Sequence, residues 1–290
     1  MTEPAPTAPF LGDLLKDSPS NWGKWGPDDE VGSLNYLGTE EVVAAAWHRG
    51  LLLDAAAHDR SALRVRRRRD ADDKINAFLQ GSTQYDGLGH VWYGGQIWSG
   101  YDARTTIGGL DEASVEPVAE RGVVGRGVLL DMARFRGKNT LEAAETFTHE
   151  DLLACAEAQG VQIQKRDILI IRTNFIQLFF DLGEKFYEGF CEPGLVYSPE
   201  LVQWFADMEI PNLVTDTIAN EVTFDPNNGV ALVLHNALMR NLGVTLTEIA
   251  DLEKLADDCE QDGQYAFLYV AAPLKVAKGS GSPVNPVVIK

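Results

Sequence analysis

The stretch LQGSTQYDGLGHVW, residues 79–92, sets a carboxylate (Asp86) and an imidazole (His90) among small residues and two glutamines, Gln80 and Gln84. Glycines at 81, 87 and 89 surround the reactive groups. Lacking a side chain, they let the backbone crowd a bound cation. On an extended segment Gln84 and Asp86 point to the same face, because side chains alternate along a strand. Two distant residues share this chemistry. His235 lies in ALVLHNALMRNLG, a helical run before a glycine turn, and Glu248 follows in VTLTE. Taken singly, His235 reads as a core histidine and Glu248 as a solvated carboxylate. With Asp86 and His90 they form a candidate metal-and-base set, since carboxylates and imidazoles hold borderline divalent cations such as zinc or manganese.

The chain has 290 residues, 45% of them hydrophobic and 23% charged. These are ordinary proportions for a globular protein with a sizeable core. A net charge of −18 repels polyanions and argues against a nucleic-acid partner. One cluster runs the other way: Arg64 and Arg66 to Arg69, followed by Asp70, Asp72 and Asp73. It reads as an exposed edge or loop engaged in ion pairs. No apolar run is long enough for a transmembrane helix, and the first residues lack the pattern of a signal peptide. Cys155, Cys191 and Cys259 are far apart, odd in number and without CxxC spacing. They suggest a reducing compartment and offer no zinc knuckle. A cytoplasmic protein without membrane or nucleic-acid partners is expected.

Residues 1–20, rich in Pro, Ser and Ala, read as a loose arm, and 21–290 as one α/β domain. A helix is expected from about Thr39, capped by Thr39 with Glu40 and Glu41 in its first turn. Residues 50–57 read as a strand, and 105–131 as strand, turn, strand. THEDLLACAEAQG predicts a helix with Thr148 as N-cap, Asp151 completing the capping box and Gly160 as stop. DILIIRT (167–173) predicts a buried strand. SPELVQWFADMEI predicts a helix with Ser198 as cap and Pro199 at its first position. NLVTDT (212–217) and QYAFLYVAAPLKV (264–276) predict strands, and 230–242 a helix.

The chain has no GxSxG elbow, HExxH pair or GxxxxGK[ST] loop. It resembles the metal-dependent cyclase family of hydrolases, which includes kynurenine formamidase, isatin hydrolase and lactone hydrolases. The family hallmark HxGTHxDxPxH occupies the same frame as Gln80 to His90. Further similarity runs through WGPDDEVGSLNYL, DILIIRT, PGLVYSPELVQWF, LVTDTIANE, LHNALMRNLGVTLTE and GSGSPVNPVVI, covering nearly all of 22–290. The resemblance implies a swivelling β/β/α fold and a homodimer or homotetramer. It also implies that Asp86, His235 and Glu248 are metal ligands and that His90 is a general acid/base. An unperturbed imidazole pKa near ~6.5 suits that role.

Gln80 and Gln84 depart from the pattern, standing where the hallmark has histidines. A carboxamide oxygen is a hard, neutral ligand, tolerable for manganese, magnesium or calcium and poor for zinc. One divalent ion, manganese or zinc, is therefore expected, with Gln84 as a further ligand. The expected reaction is hydrolysis of a cyclic amide, formamide or lactone by water that the cation acidifies. Glu221 is a further catalytic candidate. Trp22, Trp25, Tyr85 and Trp92, with Gln80, are candidates for gripping the small-molecule substrate; Trp98 is another ring of this kind, and core packing explains any one of the aromatics equally well. Two alternatives stay open: a degenerate relative that binds a small molecule without turnover, and a metal-independent hydrolase using His90 with Asp86 or Glu221.

Overall fold

The structure, a computed structural model, describes residues 10–42 and 76–290. The expected strand at 50–57 and the arginine cluster at 64–69 lie outside the described residues. Ten strands are described: β1 (Gln84–Asp86), β2 (Val123–Asp131), β3 (Thr146–Phe147), β4 (Ile168–Arg172), β5 (Gly194–Leu195), β6 (Asn212–Thr215), β7 (Thr245–Glu248), β8 (Ala266–Ala271), β9 (Gly281–Pro283) and β10 (Val287–Ile289). Eight form one sheet in the order β10-β8-β2-β4-β6-β7-β1-β9, and β3 pairs with β5 separately. Strands β2, β4, β6 and β7 run parallel at the centre. The outer pairings, β8 with β2 and β10 and β1 with β7 and β9, are antiparallel. This is the mixed α/β architecture that the sequence led us to expect.

The central strands are buried on both faces, as parallel strands covered by helices must be. Alternation divides their side chains between two cores. Val128, Leu130, Leu169, Ile171, Leu213 and Leu246 enter one core with the helices Pro199–Asp207 and His149–Ala158. Leu129, Ile168, Ile170 and Val214 enter the other, with Tyr85 and Tyr269. This parity decides what each strand delivers to the site.

The local signals in the sequence account for several elements. Thr148 and Asp151 form the capping box of the helix His149–Ala158, and the Ser198 hydroxyl accepts from Leu201 N at the helix Pro199–Asp207. Other expectations need correction. Residues 105–121 contain no strand: a single turn, Ala103–Thr106, is followed by the helix Val115–Arg121, whose Ser114 side chain accepts from Glu116 N. The expected helix 230–242 begins only at Val233, because Leu232 sits at φ 58°, and from Asn236 to Leu242 it is π-helical. Thr39 is already helical. The Gly38 amide before it donates to the Glu41 carboxylate at 2.7 Å. Within the expected loose arm, residues 11–14 are helical, Leu15 is buried in the first core, and Tyr197 donates to the Leu14 carbonyl.

The stretch from Asn21 to Ser33 closes the C-terminal end of the helix carrying His235. Trp22 Nε1 donates to the Arg240 carbonyl, Asn21 N to that of Asn241, Asn21 Nδ2 and Ser33 Oγ to that of Leu242, and Ser33 N to that of Gly243. Carbonyls left without intrahelical partners are thereby satisfied. Gly243 turns the chain at φ 70°, and a Cβ there would lie 2.6 Å from the Trp98 ring and 2.8 Å from Gly32 Cα. Gly263 has the same φ, with nothing within 4 Å of its Cβ position. Gly263→Ala should therefore cost only the left-handed penalty of about 1–2 kcal/mol. Gly243→Ala should cost a further ~1–3 kcal/mol from overpacking. Urea denaturation of the two variants measures the difference, and equal losses would contradict this packing.

Candidate metal and catalytic site

Strand β1 lies between β7 and β9, with Gln84 opposite Glu248 and Asp86 opposite Gly281. Parity places Gln84, Asp86 and Glu248 on the face of the first core, where the helical segment Val233–His235 packs. Ligand atoms of Asp86, His235 and Glu248 all lie within 4.8 Å of one another. His235 Nε2 is 3.0 Å from Glu248 Oε1 and its Nδ1 is 3.0 Å from Glu221 Oε1. Gln84 Nε2 donates to Glu248 Oε2 at 2.5 Å. Every one of these residues is buried.

These residues suit a hard or borderline divalent cation. Both Asp86 carboxylate oxygens and the Gln84 amide oxygen are buried without a hydrogen-bond partner. Buried acceptors of this kind normally find a donor or an ion. The amide is oriented by its nitrogen's bond to Glu248, which leaves its oxygen free. Asp86 Oδ, Glu248 Oε, His235 Nε2 and Gln84 Oε1 make a mixed oxygen and nitrogen donor set of the kind manganese accepts. Glu221, on the far side of the ring, completes a carboxylate–histidine pair that fixes which nitrogen is left for the ion.

Burial dominates the electrostatics of this cluster. Burial raises the pKa of Asp86, opposed by the charges of His90 and His235. Burial, followed by the Asp86 charge, pushes Glu248 up to about 8. Burial disfavours charge on His235, but hydrogen bonds to the Glu221 and Glu248 carboxylates outweigh it and push the imidazole up to about 10.

The expected site residues divide clearly. Asp86, Gln84, His235 and Glu248 come together. Half-buried His90 closes the same loop through its amide, which donates to the Gly87 carbonyl at 2.9 Å, and its charge is felt by Asp86. Gln80 reaches the margin: its amide donates to Ser280 Oγ, and a Cβ on Gly281 would meet both Gln80 Nε2 at 2.7 Å and Asp86 Oδ1 at 2.9 Å.

Several assignments change. Glu221 was expected to act on substrate, but its carboxylate is filled by Leu234 N, His235 N and His235 Nδ1; it orients the imidazole. Tyr85, expected at the substrate, projects to the opposite face, fully buried, with its hydroxyl against Asn212 and Tyr269. Trp22 caps the helix end and stacks with Arg240, and Trp25 packs edge-on against Tyr36. Trp98 is buried with its indole nitrogen on the Asp29 carbonyl. Trp92 is 45% exposed. Gly87 and Gly89 make room for the backbone of residues 113–115 and for Leu110, not for a cation.

Among the buried carboxylates that the sequence reading did not single out, two flank the turn that carries Glu221. Asp216 accepts from Thr173 N, Thr173 Oγ1 and Asn174 N, and burial pushes it up to about 6. Glu192 accepts from Ile218 N and Ala219 N, and burial pushes it up to about 7. No periodicity distinguishes such acids from surface ones. The polar ends of adjoining strands were the available clue.

With this geometry in hand, similarity to known proteins becomes informative. Residues 17–222 match a family model described as putative cyclase. A crystal structure described as that of a novel cyclase aligns with a TM-score of 0.78 at 34% identity, covering 94% of this chain and 100% of the other. Isatin hydrolase A from Ralstonia solanacearum aligns with a TM-score of 0.50 at 20% identity over 72% of each chain, a likeness of fold. Comparison with curated proteins gives no match. The family match over most of the chain, and the near-complete alignment with the cyclase structure, establish that this protein belongs to the cyclase family.

Proposed function

We propose that the protein is a hydrolase that opens a cyclic amide, formamide or lactone with the help of one divalent cation held by Asp86, His235, Glu248 and the Gln84 oxygen. One observation carries the reading: the unpartnered buried oxygens of Asp86 and Gln84 converge with His235 and Glu248. A bound cation supplies a Lewis acid that polarises a carbonyl and acidifies water. Glu221, by accepting a hydrogen bond from Nδ1–H, keeps the Nε2 lone pair of His235 directed at the ligand cluster. Burial of Asp86 and Glu248 excludes bulk water and strengthens every charge in the site. His90, half-buried beside Asp86, takes a proton from the attacking water and returns it to the leaving nitrogen or oxygen.

A second reading, acid–base hydrolysis without metal, is favoured by one feature. Both Glu248 oxygens already meet protein groups, His235 Nε2 and Gln84 Nε2. A chelator titration monitored on a panel of lactones, formamides and cyclic amides separates the two, because the cation-dependent reaction should stop with chelator and return with manganese. An enzyme inert on the whole panel, yet retaining one of these compounds, would instead favour a binding protein. We further propose a homodimer or homotetramer, which light scattering at micromolar concentration checks.

Protein purified without chelator should carry at most one equivalent of divalent metal per chain by elemental analysis, and two equivalents of zinc would contradict the proposal. His235→Ala should remove that metal while leaving the circular dichroism spectrum unchanged. Metal retained in an unfolded variant would instead return His235 to the role of core residue. Replacing Gln80 and Gln84 together by His should raise zinc affinity by about 10–100-fold, the scale on which neighbouring groups tune metal sites. Unchanged zinc affinity would mean that the two amides do not face the cation.

A further inference from the structure

Segment 192–195 holds the turn that carries Glu221 through four hydrogen bonds and one close backbone approach. The Glu192 carboxylate accepts from two successive amides, Ile218 N at 2.6 Å and Ala219 N at 3.0 Å. Its own amide donates to Thr223 Oγ1 at 2.8 Å. The Val222 amide donates to the Leu195 carbonyl at 3.0 Å. Between them Gly194 lies so close that a Cβ there would fall 2.4 Å from the Glu221 carbonyl carbon. Glu192 itself is 1% exposed, so these bonds form out of competition with water, where each counts for more.

The gripped turn has one evident output. Glu221 leaves it to meet Leu234 N, His235 N and His235 Nδ1 at 2.8–3.0 Å. The amides held by Glu192 lie three and two residues before Glu221; the Asn220 side chain, on Thr215 Oγ1 and the Thr247 carbonyl, and the Val222 amide, on the Leu195 carbonyl, hold the rest of the turn. Asp216, at the other end of the turn, is occupied with Thr173 and Asn174 and gives the turn no second hold on its amides.

We propose that Glu192 is a positioning residue for the site, holding the Ile218–Glu221 turn so that Glu221 fixes the orientation of His235 and the nitrogen it presents. The consequence for metal affinity rests on the cation reading above; the consequence for the imidazole does not.

The test uses the full chain with ring-15N-labelled histidine, five residues in all, with His235 assigned from His235→Ala. The metal-free wild type should give a single His235 Nδ1–H signal, shifted downfield and slow to exchange. Glu192→Gln is isosteric but turns a donor toward one of the two amides. It should broaden that signal or move it upfield and speed its exchange, with Thr223→Val giving a smaller change in the same direction. Gly263→Ala, which puts a side chain on a left-handed helix end with nothing within 4 Å of it, serves as a control for general destabilisation and should leave the signal in place. Manganese affinity should fall by roughly 10–100-fold in Glu192→Gln. An unchanged His235 signal in Glu192→Gln, or an equal change in Gly263→Ala, would overturn the proposal. A wild type that binds no manganese but shows the expected His235 response would instead defeat the cation reading and leave the clamp standing.

Discussion

Everything at the site hangs on the hydrogen bond between Glu221 and His235 Nδ1. An imidazole has two ring nitrogens, and only the one without a proton can bind a cation. By accepting at Nδ1 and at two backbone amides of the same helical turn, Glu221 fixes both the ring plane and the helix start beneath it. The opposite nitrogen then faces Glu248 on β7 and, through the pairing of Gln84 with Glu248, the β1 residues Gln84 and Asp86. The remaining architecture serves this alignment. The parallel centre of the sheet fixes β7, and the N-terminal segment seals the far end of the His235 helix.

Burying so many carboxylates in one region needs compensation, since an unpaired buried charge is among the most costly features a fold can carry. Asp216, Glu192 and Glu221 solve the problem with backbone: each accepts from consecutive amides of a neighbouring segment, Thr173–Asn174, Ile218–Ala219 and Leu234–His235 respectively. Glu248 uses His235 and Gln84. Asp86 alone keeps both oxygens without a donor, and it stands where a positive charge would relieve it. This distinction between satisfied and unsatisfied acids separates the scaffold of the site from its working group.

What the sequence disclosed follows from how local each signal is. The capping box at Thr148, the Ser198–Pro199 helix start and the apolar run of β4 are written in adjacent residues, and they occur where expected. The same-face relation of Gln84 and Asp86 was legible because a strand has period two. Tyr85 shows the limit of that reading: adjacency to two site residues placed it on the other face, in a different core. The place of Trp22 was not legible, because an aromatic near a flexible-looking arm gives no hint of a helix end that needs its carbonyls covered, nor does it foretell the edge-on packing of Trp25 against Tyr36. Glu192 was invisible for a related reason. Its partners are backbone amides, which carry no sequence identity, and its burial is imposed by strands far away in the chain. The chemistry of the site was legible through the resemblance of residues 80–90 to a family hallmark, while the division of labour between Asp86 and Glu221 required the fold.

The central claim is that Asp86, Gln84, His235 and Glu248 surround one cation. Anomalous diffraction from crystals grown with manganese, collected on both sides of the metal edge, tests it directly. The account requires a single peak per chain, bonded to a carboxylate oxygen of Asp86, to Glu248 and to His235 Nε2, with the Gln84 oxygen turned toward it. No peak at that position, or a pair of peaks bridged by Asp86, would contradict it.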